Sequence, residues 1–360
     1  MGSQTTWQRI ARSGLIGRDV RQACEGYVLF TPYNTSNFTV LIDPEGKEVH
    51  RWTHQDMRGG YGYLLPNGNI HFDGRLAAKV DHLGPLFSEF RGGAIHELDK
   101  DSNIVWSHAD ASHHHDSKRR REYGLMHIST MEMPEDYARK LAPEREGPIY
   151  ADTVISSEPD GKEIWRWRSW EHLDVEDPRN ALRQGPGLWL HLNGIELGGD
   201  GTFTVSARNI HSVMVINRHS GAVEERYGPG KTAENFWGQH DPRLLPNGNI
   251  LLFDNGWFRP AGLSWSRVIE FERGSGKIVW EYKDSPAFNF YSAYISGVDP
   301  CPNGNVLVTE GQTGRLFQVT RAGEVVWEYI NPHFAPSSGG IDNCVFRSRF
   351  YTHDQVKHLL

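Results

Sequence analysis

Three histidines at widely separated positions have the chemistry to form one active site: His115, His191 and His240. A neutral imidazole is a nucleophile near pH 7, and a second one can carry a proton, because the unperturbed pKa of histidine lies close to that pH. Arg208 lies between the second and third histidines in the chain, and its planar guanidinium could hold an anionic group. These residue types favour nucleophilic and acid–base catalysis, provided that the fold brings them together.

The same imidazoles permit two other interpretations. Three of them facing one axis could bind a divalent metal ion and leave coordination positions open. The protein would then be a metal-dependent lyase, hydratase or oxygenase with His115, His191 and His240 as ligands. Alternatively, the histidines could hydrogen-bond neighbouring backbone and stiffen a non-enzymatic scaffold that binds a protein partner at its rim. Nucleophilic catalysis requires no cofactor, so the metal content of the purified protein separates the two enzymatic interpretations.

An internal repeat indicates the elements that must position these residues. A turn residue, usually glycine, is followed by large or aromatic residues four and six positions later. The pattern occurs at 46–52, 102–108, 161–167, 221–227, 276–282 and 323–329. Each copy predicts a polar turn leading into a strand, and six copies spaced 47 to 60 residues apart predict an all-β, six-bladed β-propeller. Four recurrent tryptophans should pack between neighbouring blades, namely Trp106, Trp165, Trp280 and Trp327.

A second phrase, Pro-Asn-Gly-Asn, begins at Pro66, Pro246 and Pro302. It predicts a tight turn between the two inner strands of a blade, in which glycine takes the position with positive φ. Gly124 and Gly201 occupy the corresponding place in two degenerate units.

The two ends of the chain are predicted to form one blade together. The first unit, residues 26–52, lacks the inner turn, whereas an alternating stretch at 340–350 follows the last unit. We therefore predict that a C-terminal strand closes the first blade and removes an open sheet edge. The expected organisation is a helical or irregular lead-in over 1–25, the propeller over 26–351 and a tail over 352–360.

The innermost strand of each propeller blade lines the central channel, so residues at the start of these strands should meet at one mouth. His115, His191 and His240 occupy that place in three consecutive blades, and Tyr294 and Ser296 occupy it in the sixth. This placement predicts a shared site at the channel mouth.

Composition and charge exclude several partners. The formal net charge is -7, and the only basic run comprises Lys118, Arg119, Arg120 and Arg121, so a nucleic-acid surface is not expected. We interpret this run as a solvated loop whose position next to the histidines permits a lid over an anionic substrate. No stretch reaches the ~18 apolar residues of a membrane span. The N-terminus lacks a signal-peptide core, and the three cysteines have no metal or redox spacing. Both features predict a cytoplasmic protein with reduced thiols.

At the histidine segments the chain resembles the bacterial arylsulfate sulfotransferases that act without phosphoadenosine phosphosulfate and are built on a six-bladed propeller. The resemblance spans roughly residues 26–350. His191-Leu-Asn193 followed by Ser206-Ala-Arg208 is similar to one family segment, and Trp237-Gly-Gln-His240 leading into Asp254-Asn255-Gly256 is similar to the segment that holds the sulfated histidine. His114-His115-Asp116 is similar to an earlier family site.

The resemblance implies sulfuryl transfer between phenols, with ping-pong kinetics and no cofactor. His240 would attack the sulfur, His191 and Arg208 would stabilise the charge on the sulfuryl oxygens, and Asn193 would donate a further hydrogen bond. His115 would protonate the departing phenolate or deprotonate the acceptor phenol. A small aromatic or anionic substrate would also contact His114, Tyr294, Ser296 and Trp237.

Overall fold

The computed structural model describes residues 12–33, 37–54, 60–76, 92–120, 124–182, 187–229, 235–257, 259, 264–337 and 340–360. Within these ranges, six antiparallel sheets form the blades of a six-bladed β-propeller, which confirms the predicted fold class. The innermost strands of neighbouring blades contact one another around the ring. The hydrophobic core lies between the blades, where residues of adjacent sheets pack together.

The strands of the first three blades, each from the innermost outwards, are β27 (Val345–Tyr351), β2 (Tyr27–Pro32), β3 (Phe38–Ile42) and β4 (Glu48–Thr53); β5 (Tyr61–Leu64), β6 (Ile70–Arg75), β7 (Gly93–Leu98) and β8 (Ile104–Ala109); and β9 (His113–Arg120), β10 (Gly124–Glu132), β11 (Tyr150–Ser157) and β12 (Glu163–Arg168).

The strands of the last three blades, in the same order, are β13 (Leu192–Leu197), β14 (Thr202–Ala207), β15 (Ser212–Asn217) and β16 (Val223–Tyr227); β17 (His240–Leu244), β18 (Ile250–Asp254), β19 (Arg267–Phe271) and β20 (Ile278–Tyr282); and β21 (Gly297–Pro300), β22 (Val306–Glu310), β23 (Arg315–Val319) and β24 (Val325–Ile330).

Short helices connect or follow the blades: α1 (Glu135–Leu141), α2 (Ser169–His172), α3 (His353–Val356), and 3₁₀ turns at Pro178–Asn180, Ala287–Asn289, Gly311–Thr313 and Lys357–Leu359.

The C-terminal strand closes the first blade, as predicted. β27 pairs antiparallel with β2 over a register that runs from Tyr27 opposite Tyr351 to Pro32 opposite Val345. The strand is shorter than the predicted stretch at 340–350, because β26 (Gly340–Asp342) instead forms a separate hairpin with β25 (Ala335–Ser337). The closure pairs a strand near the C-terminus with one near the N-terminus through main-chain hydrogen bonds, so the first blade has four strands, like the second to fifth blades.

The N-terminal segment differs from the expected helical or irregular lead-in. Residues Gly14–Arg18 form β1, which pairs antiparallel with β24 as a fifth, outermost strand of the sixth blade. The prediction failed because β1 lies outside the repeat and contains two glycines, which are poor strand formers. Pairing with an edge that is already built provides the stabilisation that the local sequence lacks.

The two repeated phrases have the predicted structures. Pro-Asn-Gly-Asn turns the chain between inner strands, with Gly68, Gly248 and Gly304 at φ of 87°, 86° and 90°. In the first of these turns, the amide of Gly68 donates to the carbonyl of Leu65 at 2.9 Å. The six copies of the aromatic phrase form the fourth strand of each blade, counted from the channel: β4, β8, β12, β16, β20 and β24.

The recurrent tryptophans connect neighbouring blades, also as predicted. Three of them donate the indole N–H to a carbonyl in a turn of the next blade: Trp106 to Pro159 at 2.7 Å, Trp280 to Arg321 at 2.9 Å and Trp327 to Pro44 at 2.8 Å. The Trp165 ring packs edge-on against Phe203 of the fourth blade, with centroids 5.8 Å apart. The first three contacts combine packing of the ring with a hydrogen-bonded N–H, and the fourth is a ring contact, so all four tryptophans join adjacent blades.

Candidate active site

The fold brings the predicted histidines together where the inner strands begin. His115 Nε2 and His191 Nε2 lie 3.1 Å apart across the interface between the third and fourth blades. His114 Nδ1 lies 2.7 Å from His115 Nδ1. His240 is close enough to both His115 and His191 for its charge to affect their pKa values. Residues separated by 76 and 49 positions in the chain therefore share one site.

Left-handed backbone conformations accompany this site. His115, His191, Asp241 and Ser296 have φ of 62°, 54°, 53° and 86°, a region that residues other than glycine rarely adopt. All four residues lie at the start of the inner strand of a blade, where the chain enters the ring. Strain of this kind persists only where the surrounding structure enforces it, and it is concentrated at functional sites.

His240 is buried and held in one orientation. Its Nδ1 lies 2.6 Å from Asn255 Oδ1. The Asn255 amide nitrogen donates to the carbonyls of Ser292 and Ile295 at 2.8 and 3.0 Å, which fixes the amide with its oxygen towards the histidine. Because that oxygen can only accept, Nδ1 of His240 carries the hydrogen and Nε2 carries the lone pair. Nε2 makes no hydrogen bond to any described residue.

The electrostatic environment keeps these imidazoles neutral. Burial lowers the pKa of His240 to about 3, and the positive charge of Arg208 adds to that effect. Burial likewise lowers the pKa of His115 and His191 well below the usual value; nearby His191 adds to the effect on His115, and Arg208 adds to the effect on His191. A neutral imidazole retains the lone pair that nucleophilic attack requires.

Arg208 supplies the positive charge of the site. It follows β14 and is buried, with its guanidinium carbon 4.7 Å from the centroid of the half-exposed Trp257 ring. Burial lowers the pKa of Arg208 to about 10, so the side chain stays charged at neutral pH. A buried guanidinium beside two neutral imidazoles forms a preorganised environment for an anion.

The other predicted site residues have mixed placements. Asn193 is fully buried and donates an amide hydrogen to the carbonyl of Gln239 at 2.8 Å. The Ser296 hydroxyl donates to Ser292 Oγ at 2.9 Å and accepts from the Gly311 amide at 3.0 Å. Both hydrogen bonds stabilise the sixth blade. The Tyr294 hydroxyl lies 3.7 Å from Cys344 Sγ. The half-buried Trp237 ring packs 4.8 Å from His211.

Below the histidines, buried ion pairs fill the channel. Arg347 and Arg349 alternate along β27 and point inwards: Arg347 pairs with Asp116 at 2.7 Å and Arg349 pairs with Asp241 at 2.8 Å. Three aspartates also accept a backbone N–H from the next blade: Asp116 from Ile195, Asp241 from Val298 and Asp299 from Phe350. The aspartates that follow His115 and His240 therefore connect blades, a role for which the sequence contains no separate signal.

The basic run at Lys118 is not a lid. Lys118 to Arg120 lie within β9, and Lys118 is buried with its ammonium 2.6 Å from Asp116 Oδ1. Arg119 pairs with Glu97. These side chains line a cavity of about 1090 Å³ that also contacts the inner turn at Pro66, so it lies at the other end of the inner strands from the histidines. Arg121 lies outside the described residues. The prediction of a solvated loop was wrong because strand alternation turns Lys118 inwards, where a carboxylate compensates its charge.

Other classes of site find no support in the described ranges. There, no group of three or more His, Cys, Asp and Glu side chains has an arrangement that could hold a metal ion. None of the helices in that part of the chain has the length and apolarity needed to cross a membrane. Cys24, Cys301 and Cys344 are buried free thiols.

Together, the fold and the site define a six-bladed propeller with a buried histidine–arginine cluster at the start of its inner strands. The family model described as Arylsulfotransferase (ASST) matches residues 28–334, which is most of the chain. The protein therefore belongs to the arylsulfotransferase family, as the sequence resemblance indicated.

One curated relative is arylsulfate sulfotransferase AssT from Escherichia coli O6:H1, which is 23% identical over 80% of this chain. The chain spans 60% of the length of that relative. Among solved structures, a protein of unknown function from Bacteroides caccae is similar at 11% identity and a TM-score of 0.56, covering 91% of this chain and 98% of that one. A catalytically inactive virginiamycin B lyase from Staphylococcus aureus, bound to quinupristin, is similar at 11% identity and a TM-score of 0.48, covering 89% and 88% of the two chains. At 11% identity, the likeness to the Bacteroides caccae protein shows the shared fold only.

Proposed function

We propose that the protein transfers a sulfuryl group between phenolic compounds through a covalent sulfohistidine at His240. The observation that carries the proposal is the contact between His240 and Asn255. It directs a neutral Nε2 lone pair into a site that also holds the Arg208 guanidinium. Membership of the arylsulfotransferase family supports the same reaction class.

In the first half-reaction, the Nε2 lone pair of His240 attacks the sulfur of an aryl sulfate. A nitrogen–sulfur bond forms, the bond between sulfur and the aryl oxygen breaks, and the phenolate leaves with the bonding electrons. Arg208 and His191 stabilise the charge on the sulfuryl oxygens, and Asn193 contributes an amide hydrogen. Donors fixed before the reaction stabilise this charge without reorganisation, which is the main contribution that such a site makes.

In the second half-reaction, an acceptor phenol attacks the sulfur and releases His240. The departing phenolate takes up a proton in the first step, and the acceptor loses one in the second. The proton that the phenolate takes up is therefore on the histidine cluster before the first step, and the acceptor phenol returns it in the second. His115 is the residue that passes it on, because it belongs to that cluster and burial favours its neutral form whenever it holds no extra proton. The two covalent steps require ping-pong kinetics.

The test is the formation of the covalent adduct. After incubation with 4-nitrophenyl sulfate and no acceptor, we expect the intact mass to increase by one sulfuryl group, with peptide mapping at high pH locating it on His240. A chelator should leave the rate unchanged. An unmodified protein that turns over no aryl sulfate would contradict the proposal, and loss of activity on chelation would favour the metal-dependent alternative.

The first half-reaction should be nearly independent of pH. The pKa of His240 is about 3 and that of Arg208 is about 10, so the nucleophile is neutral and the guanidinium charged throughout the range between them. We expect the rate of adduct formation with 4-nitrophenyl sulfate to vary less than about threefold from about pH 5 to pH 8. A sigmoid rise centred near the ordinary histidine pKa of 6.5 would contradict this assignment.

A further inference from the structure

A buried carboxylate continues the histidine cluster away from the substrate. Asp152 lies on β11, next to the inner strands of the third blade, and is fully buried. Its Oδ1 lies 3.0 Å from His114 Nε2. The same oxygen accepts the Leu192 amide at 3.2 Å. Through His114 and His115, the contacts run without interruption from this carboxylate to His191.

The contacts give this chain a direction. A neutral imidazole has one N–H and one lone pair, so assigning one end of the chain assigns all of it. Asp152 Oδ1 lies 3.0 Å from His114 Nε2, so a hydrogen on Nε2 is favoured over a lone pair, and Nδ1 accepts. His115 then donates from Nδ1 to His114, and its Nε2 accepts from the Nε2–H of His191.

The carboxylate is poorly satisfied in this neutral form of the histidine chain. His114 Nε2 and Asp152 Oδ1 are at ion-pair distance, but their geometry does not meet that of a hydrogen bond. Asp152 Oδ2 is buried and has no hydrogen-bond partner among the described residues. A positive charge on His114 would compensate this carboxylate, because an opposite charge in contact stabilises a buried ion.

We propose that Asp152 is a positioning residue that orients the three imidazoles and receives their proton as an ion pair with His114. The inference rests on the proposed sulfuryl transfer. A proton taken up at His191 Nδ1 releases the Nε2–H of His191 to His115 Nε2. His115 in turn passes its Nδ1–H to His114 Nδ1. His191 and His115 each gain one N–H and lose one, and His114 becomes an imidazolium beside Asp152. The reverse sequence starts from this charged form, delivers the proton to the departing phenolate in the first half-reaction and leaves all three imidazoles neutral. The acceptor phenol returns the proton in the second half-reaction.

This assignment also explains how His115 can act although both of its ring nitrogens are in contact with other histidines. The charged and titratable groups that face the chain are Arg208 and His240 beside His191, and Arg347 beside His115. The cationic members, Arg208 and Arg347, disfavour a proton that stays on His191 or His115. The proton is therefore stabilised at the Asp152 end.

The experiment compares Asp152→Asn with wild type on two donors, 4-nitrophenyl sulfate and unsubstituted phenyl sulfate. Nitrophenolate leaves without a proton, whereas phenolate requires one. We expect the variant to form the adduct from 4-nitrophenyl sulfate within about threefold of the wild-type rate, but from phenyl sulfate about a hundredfold more slowly. Asp110→Asn is the matched control. Asp110 also pairs with a histidine of the third blade, His127, at 3.0 Å, but it is not in contact with His114, His115 or His191. It should leave both rates unchanged.

An equal loss on both donors would assign Asp152 a structural role and overturn the proposal. If wild type itself forms no adduct, the proposed function has failed instead. A second measurement requires no variant. ¹⁵N spectra of unmodified, histidine-labelled wild type should show hydrogens on both ring nitrogens of His114, on Nε2 of His115 and on Nδ1 of His191. After sulfation by phenyl sulfate, they should show hydrogen on Nε2 of His114, Nδ1 of His115 and Nε2 of His191. Any other tautomer at one of these residues would also overturn the proposal, even if Asp152→Asn does not fold.

Discussion

Replacing His240 with glutamine should reduce aryl sulfate turnover by about 10⁴-fold or more and abolish the covalent adduct. Removing the nucleophile of a covalent enzyme costs this much, because the remaining groups can only stabilise a much slower direct transfer. Glutamine keeps a polar side chain of similar length that can still contact Asn255, so the channel should remain folded. Steady-state release of 4-nitrophenol and the intact mass after incubation measure the two effects.

His108→Gln is the matched control. His108 is a half-buried histidine on β8, an outer strand of the second blade, remote from the inner strands. We expect its turnover to be within about twofold of wild type. If His240→Gln retains turnover at a tenth of the wild-type rate or more, His240 is not the nucleophile. If both variants lose activity together with thermal stability, the loss reports folding and not chemistry.

The repeat made the fold predictable. A propeller uses one hairpin geometry six times, so turn glycines, inter-blade tryptophans and Pro-Asn-Gly-Asn turns each occur several times and support one another. The closure by β27 was also predictable, because a missing inner strand in the first unit and a surplus strand after the last unit are complementary. β1 had no such support, because it adds to a completed blade and belongs to no repeat.

The site was predictable only where residues occupy equivalent places in successive blades. His115, His191 and His240 satisfy that condition, and the structure places them together. Asn255 and Asp152 do not, because one lies on the chain after β18 and the other within β11, which are not inner strands. Their proximity to the histidines depends on the register between strands of one blade, which no local pattern in the sequence encodes. A functional role for either residue therefore emerges only from the folded geometry.

The ion pairs in the channel below the site link the strand that closes the ring to the candidate site residues. Four cations and four carboxylates fill the channel: Lys118, Arg243, Arg347 and Arg349 with Asp116, Glu196, Asp241 and Asp299. Two of the cations, Arg347 and Arg349, come from the closing strand β27. Arg347 also donates to the carbonyl of Asn193, a candidate site residue. The C-terminal strand thus neutralises carboxylates of the third and fifth blades and fixes the backbone of Asn193.

Arg347→Met should therefore destabilise the protein by about 3–5 kcal/mol, measured as the free energy of unfolding in urea at neutral pH. Arg347 is fully buried, and its removal leaves the channel with one carboxylate more than it has cations. Leaving a buried charge uncompensated costs about this much, whereas methionine fills most of the vacated volume. Arg51→Met is the control, because Arg51 pairs with Glu48 on the surface with 40% of its side chain exposed. Exposed pairs contribute about 0–1 kcal/mol.

A double variant separates the charge effect from lost packing. In Arg347→Met with Asp116→Asn, the cations and carboxylates are again equal in number, and the asparagine oxygen can still accept the Ile195 amide that Asp116 accepts at 2.9 Å. We expect the double variant to recover at least half of the stability lost by Arg347→Met, which is coupling of the size seen for residues in one ionic network. Additive losses would mean that Arg347 stabilises the ring by packing alone. Recovery would establish that the closing strand acts through charge compensation. Closure of the ring would then depend on equal numbers of positive and negative charges in the channel beneath the histidines.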